Sequence, residues 1–526
     1  MKRWLLVGII LLGFTLRIVG LTNHPSGFTP DEASFGYDAY SILKTGKDQW
    51  GHTLPLVFKS FGDDKLPVYT YLAIPSVAIF GLNEFSVRLP SAILGTLAIV
   101  VVYFLVKELF KEEKVAIFAA FLLAISPWHT MLSRGAFEAN LSTFFLPLAI
   151  LFFLKGLKDK NFLVLSAIIF GINLFTYHTA RILTPLIVLF LVWQNFKEVK
   201  KYIFIFGIIF SVFLLPAIYL YIVSGSRVAS SGIFDINYSD DRYLAQVVRE
   251  SAILSRFFYN KPFYIVKQFI TNYLSYFSPQ FLFTNGPAEG TYGMVPGIGV
   301  LYFAELILLV GFIWKAVKER SSEINLLVFW FLISPLPAAL TKGPGYAANR
   351  VAFVIPALII LLAIGGVSIL KRKLWFYCYL VILFINFLYV GEKYLVGQVV
   401  NQASAMIYGT DQVVDKLVEI QKPSEQIVIS KNISEPQIYL AFYTKMDPVE
   451  YQASSKNWTL VNGWVDQQAN YSLGRYNFKT INYSGDSQLK NTVLVGTPND
   501  FPAEIKPNFA VNYPNLKQAY YIVVTK

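Results

Sequence analysis

Apolar residues occur in long blocks along the chain. They lack the polar face that a soluble helix shows at its 3.6-residue period. Eleven blocks stand out, at roughly 4–22, 89–107, 115–131, 140–155, 161–177, 182–194, 202–223, 295–314, 325–340, 350–370 and 374–391. Crossing a bilayer takes about 20 mostly apolar residues, because in lipid the backbone must bond within its own helix. The pattern therefore predicts eleven membrane-spanning helices, the shorter ones completed by adjoining residues. A further run, 66–82, contains two prolines and is ambiguous. After residue 394 the pattern changes. Residues 403–421 read as a helix with one apolar face. Strand-length runs follow at 426–430, 437–443, 457–463, 476–481, 492–496 and 519–525. This predicts a compact α/β or α+β domain over 395–526, behind a membrane domain over 1–394.

Charge orients the spans. Basic clusters lie at Lys2/Arg3, Lys107–Lys114, Lys155–Lys160, Lys197–Lys201, Lys315–Arg320 and Lys371–Lys373. The positive-inside rule makes such clusters cytoplasmic. All six share one side only if 66–82 does not cross, so that run is read as a helix lying in the outer interface. The amino terminus is then inside, and the C-terminal domain is outside the plasma membrane. The whole chain has 526 residues, 55% hydrophobic and 15% charged, with a net charge of +12. Residues 395–526 hold 11 basic and 11 acidic side chains, so the surplus belongs to the membrane part. There it is a topology signal, which removes the nucleic-acid reading that a basic protein invites. A single cysteine excludes a disulfide framework and a cysteine metal site.

With this topology the four histidines fall on the outer side, beside a set of charged residues at the ends of the spans. Polar groups near membrane depth are costly and usually functional. The first outer loop carries Asp31 and Glu32 after Pro30, in a stretch that reads as a helix start. A carboxylate there serves as a general base, as a ligand to a divalent cation, or only as an acidic first turn. Lys65, in GDDKLP, suits a phosphate or an interfacial anchor. Arg134 and Glu138 stand four apart in SPWHTMLSRGAFEAN. If helical they share a face, as an ion pair or as one cation and one carboxylate offered to a site with Asp31. His178 and Arg181 occupy the third outer loop, TYHTARILTP. Arg350 closes TKGPGYAANR, and its fork matches phosphate oxygens. The aromatic stretch 257–283 reads as an interfacial segment. The C-terminal domain has no histidine and no nucleotide-binding motif, and is not expected to hold the chemistry.

The order of these motifs, PDEASFGYDAY, GDDKLPVYTYL, GLNEFSVRLPSAILG, SPWHTMLSRGAFEANLSTFF and a late outer arginine, resembles the polyprenyl-phosphate-dependent membrane glycosyltransferases. These include the protein O-mannosyltransferases and the bacterial lipid A aminoarabinose transferases. The resemblance covers about residues 1–390. It implies a multi-pass α-helical membrane protein of the glycosyltransferase C-type fold with a C-terminal extracytoplasmic domain. It also implies transfer of a sugar from a polyprenyl-phosphate donor to a hydroxyl of an envelope glycan, lipid or protein, usually with inversion. By position, Asp31 becomes the base, with Glu32 beside it and Glu138 in the second loop. Lys65 holds the donor phosphate, helped by Arg134, His178, Arg181 or Arg350. A divalent metal at Asp31 and Glu138 is left open. Two departures touch the donor side: one proline follows Lys65 where two are common, and Arg350 precedes Val351 where tyrosine is common. A multi-pass transporter of an envelope precursor and a non-catalytic membrane scaffold are the rival readings.

Overall fold

The computed structural model of the chain describes residues 2–62, 64–223, 232–234, 261–342, 345–422, 425–461, 464–465 and 467–525. The protein is a multi-pass helical membrane protein with a C-terminal mixed sheet. Six helical stretches are long and apolar enough to cross a membrane: Glu84–Phe110, Glu138–Gly156, Ile203–Val223, Ser322–Ala339, Ala352–Ile369 and Lys373–Asn401. Shorter helices fill the other apolar blocks, including Lys2–Ile18 (α1), Glu113–Ile125, Lys160–Asn173 and Ala180–Gln194. Packing separates centre from rim. Ala352–Ile369 is 83% buried, whereas Ile203–Val223 and Lys373–Asn401 are each only 17% buried. Apolar helices this exposed face lipid rather than water.

Two blocks differ from their predicted outlines. The 295–314 run does not become helical until Glu305, because Pro296, Gly297 and Gly299 break its first half. The 115–131 run divides at Ser126, whose side chain accepts from His129 N and caps a short helix that opens on Pro127. The 66–82 run is a helix over Pro67–Phe80, 14 residues long. At 1.5 Å per residue it measures about 21 Å, short of the roughly 30 Å hydrocarbon core. Within the aromatic stretch, residues 261–275 form a helix; residues 257–260 lie outside the described residues.

The long loop after α1 folds on a helix, Pro30–Thr45 (α2), and a two-stranded hairpin of Phe58–Lys59 (β1) and Asp64–Lys65 (β2). The C-terminal sheet has six strands: β3 (Gln426–Ser430), β4 (Asn470–Leu473), β5 (Tyr476–Lys479), β6 (Thr492–Gly496), β7 (Phe509–Asn512) and β8 (Gln518–Val524). Their order is β4-β5-β3-β6-β8-β7, with β3 parallel to β5 and β6 and the outer pairs antiparallel. The expected helix over 403–421 begins only at Thr410, after Gly409 in the left-handed region. The apolar run 437–443 is not a strand but the helix Pro436–Tyr443. Pro436 opens it at its first position, and Ile438 through Phe442 are all buried. A helix covered on all sides shows no polar stripe, so its short sequence reads like a buried strand.

The sheet unit and the loop after α1 share one core. Phe28 packs on Phe442 with ring centres 4.9 Å apart. Tyr439 OH donates to Phe28 O at 2.7 Å, and Tyr37 OH donates to Met446 O at 3.1 Å. Within α2, Asp38 is buried, accepting from Gln49 N at 2.9 Å and Gln49 Nε2 at 3.1 Å. Burial first, then the Asp48 carboxylate, pushes the Asp38 carboxyl up to about 8, against the Gln49 bonds and Lys65. An unfolded Asp ionises near 3.8. The folded state therefore binds the extra proton between those values, and stability falls as pH rises through that window. The limiting slope is about 1.4 kcal/mol per pH unit. Asp38→Asn should flatten the decline of the melting temperature between pH 5 and 8 in detergent; an unchanged decline would locate the titration elsewhere.

Candidate functional site

The site begins at the start of α2. Thr29 is its N-cap: the Thr29 hydroxyl accepts from Glu32 N, and the Glu32 carboxylate accepts from Thr29 N at 3.1 Å. This capping box, with Pro30 in the first helical turn, fixes which acidic residue points which way. Glu32 turns inward and is fully buried, taking Arg88 Nε at 2.9 Å, Arg88 Nη2 at 3.2 Å and Ala136 N at 2.9 Å. Asp31 keeps a side chain that is 52% exposed. The β1–β2 hairpin then delivers Lys65, whose ammonium meets Asp31 Oδ1 at 2.9 Å and donates to Asp31 O at 3.2 Å. Its stem is buried between Phe35 and Phe61, whose ring centres lie 4.6 and 5.3 Å from the nitrogen.

Asp31, Lys65 and Glu138 line one cavity of about 500 Å³. Tyr177, Tyr292 and Asn349 add polar groups from later loops, and Ser434, Glu435 and Trp464 come from the sheet unit. The C-terminal part thus supplies part of the wall, because its helix Pro436–Tyr443 packs against α2. Arg181 lies beside this cavity and is not in its lining. It is 9% exposed, and among the described residues its Nε and Nη2 meet no hydrogen-bond partner. The carboxylates acting on it are those of Glu138 and Asp64. His178 Nε2 donates to Asp64 O at 3.0 Å, tying the loop before Ala180–Gln194 to the hairpin.

Three other candidates are placed away from the cavity. Glu32 faces Arg88, as above, and none of its bonds leaves room for a substrate. Arg134 and Glu138 do not share a helix, since the helix ends at Leu132. Arg134 turns back to cap α1: Nη1 donates to Leu16 O and Nη2 to Val19 O, both at 2.8 Å, with further bonds to Gly20 O and His24 O. A helix end leaves carbonyls without donors, and this guanidinium supplies them, so it is not free for a phosphate. Arg350 donates to Thr341 Oγ1 at 2.7 Å and is absent from the lining, although its neighbour Asn349 is part of it.

Among the described residues no group of three or more His, Cys, Asp or Glu side chains converges as a metal cage. Asp31 is held by an ammonium and Glu138 acts on a guanidinium. A hard cation needs several oxygen ligands together.

Three comparisons bear on the fold. The family described as dolichyl-phosphate-mannose-protein mannosyltransferase matches residues 64–219. That range contains Lys65, Glu138 and Arg181 and omits Asp31. A Bacillus subtilis (strain 168) protein named "Putative mannosyltransferase YkcB" is 30% identical over 142 residues, which is 26% of this chain and 20% of that protein. The crystal structure of ArnT from Cupriavidus metallidurans bound to undecaprenyl phosphate superimposes with a TM-score of 0.55 at 13% identity, covering 99% of this chain and 98% of that one. The chain has the GT-C fold. The likeness runs through helices and sheet alike, and the apo form of the same enzyme matches equally, with a TM-score of 0.55 over 98% of this chain. In this GT-C fold the cavity is enclosed jointly by loops between the membrane helices and the C-terminal sheet unit.

Proposed function

We propose that the chain is a glycosyltransferase, taking a hexosyl or pentosyl group from a polyprenyl-phosphate donor to an acceptor hydroxyl at the outer face of the plasma membrane. The observation that carries this reading is the Asp31–Lys65 pair, 2.9 Å apart on the wall of a 500 Å³ cavity in a GT-C fold. The match to an ArnT structure holding undecaprenyl phosphate supports the donor class. The basic clusters support eleven crossings with a cytoplasmic amino terminus, and therefore an outer site. The C-terminal unit over 395–526 is then extracytoplasmic.

The chemistry follows from the charges. An acceptor oxygen attacks the anomeric carbon and loses its proton to Asp31. The bond from that carbon to the phosphate oxygen breaks, and polyprenyl phosphate leaves with the electron pair. Attack on the face away from the leaving group inverts the centre. Lys65 supplies donors to the phosphate, where negative charge grows, and Arg181, beside the cavity with Nε and Nη2 meeting no hydrogen-bond partner among the described residues, adds positive charge. Lys65 holds Asp31 in the resting chain; a phosphate competes for that ammonium and frees the carboxylate to take the proton. Polyprenyl phosphate is already a good leaving group, so a nucleotide site is unnecessary.

The test uses chain reconstituted in vesicles with a radiolabelled polyprenyl-phospho-hexose and envelope extract as acceptor. Release of polyprenyl phosphate coupled to acceptor labelling is expected. Lys65→Ala and Arg181→Gln should each raise the donor KM by about 10- to 100-fold, the loss of one charge-assisted bond. Movement of intact donor across the vesicle without its cleavage would favour transport and overturn the reading.

A further inference from the structure

One stretch of cavity wall holds its backbone in a conformation that glycine tolerates better than glutamate. Glu435 lies at φ 46°, ψ 54°, the left-handed region in which a β-carbon crowds the chain. It is 1% exposed and lines the same cavity as Asp31 and Lys65. Its carboxylate is held in place: Gln437 Nε2 donates to Glu435 Oε2, and Gln437 Oε1 in turn accepts from Tyr471 OH at 2.7 Å. Strain kept at a cavity wall and braced by a second layer of bonds marks a position with a task. Trp464 lines the cavity too. Its indole lies on Gly62, in the hairpin loop that delivers Lys65, where φ is 65° and a β-carbon would overlap the ring.

We propose that Glu435 and Trp464 form the acceptor subsite, and that the acceptor group it takes is an uncharged sugar; this rests on the glycosyl-transfer reading above. A carboxylate only accepts, through two oxygens with about four lone-pair positions, and so pairs with neighbouring hydroxyls on one ring. The electron-rich indole face attracts the C–H face of the same ring. A serine or threonine side chain offers one hydroxyl and no ring face. A phosphorylated acceptor would meet Asp31, Glu138 and Glu435 in the lining, against Lys65 as the one cationic side chain among the described lining residues, and like charges repel it.

The test measures binding to the full chain in nanodiscs by calorimetry. The probes are maltotriose, mannotriose and chitotriose free in solution, glycosyl-diacylglycerol in vesicles, a serine/threonine-rich peptide, and undecaprenyl phosphate. At least one sugar probe should bind saturably; binding of glycosyl-diacylglycerol alone would place the acceptor sugar on a lipid. Glu435→Gln and Trp464→Ala should weaken that binding at least tenfold while undecaprenyl phosphate affinity stays within twofold. Glu435→Gly should lose sugar binding as well, yet melt at the same or a higher temperature, since glycine relieves the left-handed backbone. The proposal is overturned if no sugar probe binds, if only the peptide binds, if the variants lose sugar and undecaprenyl phosphate alike, or if Glu435→Gly binds sugar normally. Lys65→Ala with unchanged undecaprenyl phosphate affinity would instead sink the donor reading, and the sugar titrations would still judge the subsite on its own.

Discussion

Asp31→Asn should lower the rate of sugar transfer by about 10²- to 10⁴-fold, the usual worth of a positioned general base. Asparagine keeps the shape of the side chain and can still accept from Lys65, but it cannot take up the acceptor proton. The loss should appear in kcat. Donor affinity should change little, because the proposed phosphate contact Lys65 is kept and loses only a competing partner. Stability should also hold. The Asp31 side chain is 52% exposed and that of Lys65 only 5%, but the asparagine oxygen and the backbone carbonyl at position 31 still accept from the ammonium, so the loss should be about 1 kcal/mol. A melting temperature close to wild type, measured in detergent, separates a chemical defect from a folding one. A second variant makes the test positive as well as negative: Asp31→Ala leaves room in the cavity for formate or azide, and either anion should restore part of the rate. Transfer by Asp31→Asn within about threefold of wild type, on folded protein, would remove the base assignment.

The helices were legible in the sequence because lipid imposes a severe rule: a spanning segment must be apolar for most of its length. The small C-terminal strands were less so. Asn470–Leu473 and Phe509–Asn512 have only four residues each, too few for a period of two to stand out. The charged residues show the limit most clearly. Asp31, Lys65 and Glu138 stood out as polar groups at the outer ends of spans, and they do meet at one cavity. Arg134 and Glu32 have the same sequence signature but face carbonyls and a guanidinium. Sequence spacing cannot say whether a charge looks into a cavity or into the end of a helix more than a hundred residues away. One signal was available: Thr29-x-x-Glu32 is a capping-box pattern, which marks Glu32 as structural and leaves Asp31 as the outward residue of the pair. Glu435 carried no such signal, since its place in the wall depends on how the helix Pro436–Tyr443 packs onto α2.

Arg88→Ala should be the most destabilising single change, at about 3–5 kcal/mol, the cost of breaking a buried ion pair from one side. Arg88 and Glu32 both have side chains with no exposure, and the guanidinium forks onto both carboxylate oxygens. Its remaining donors go to Leu21 O, Thr22 O and Pro25 O at 3.1 Å and to Gly27 O at 2.5 Å. Alanine would strand a carboxylate and leave four carbonyls without this donor. Arg88→Lys should recover only part of the loss, because an ammonium cannot reproduce the fork. The double change Arg88→Met with Glu32→Leu removes the stranded charge and should be less destabilised than Arg88→Ala. It should not reach wild type, since Ala136 N and the loop carbonyls stay unsatisfied. Urea unfolding of the purified chain measures all three. The same pair joins the site's two halves, because Glu32 follows Asp31 in sequence and accepts from Ala136 N, two residues before Glu138. Arg88→Lys, assayed well below its melting temperature, should therefore lose transfer activity more than its stability loss explains, with kcat falling while donor affinity is retained. If its activity tracks only its folded fraction, the pair holds the fold together and has no part in aligning Asp31 with Glu138.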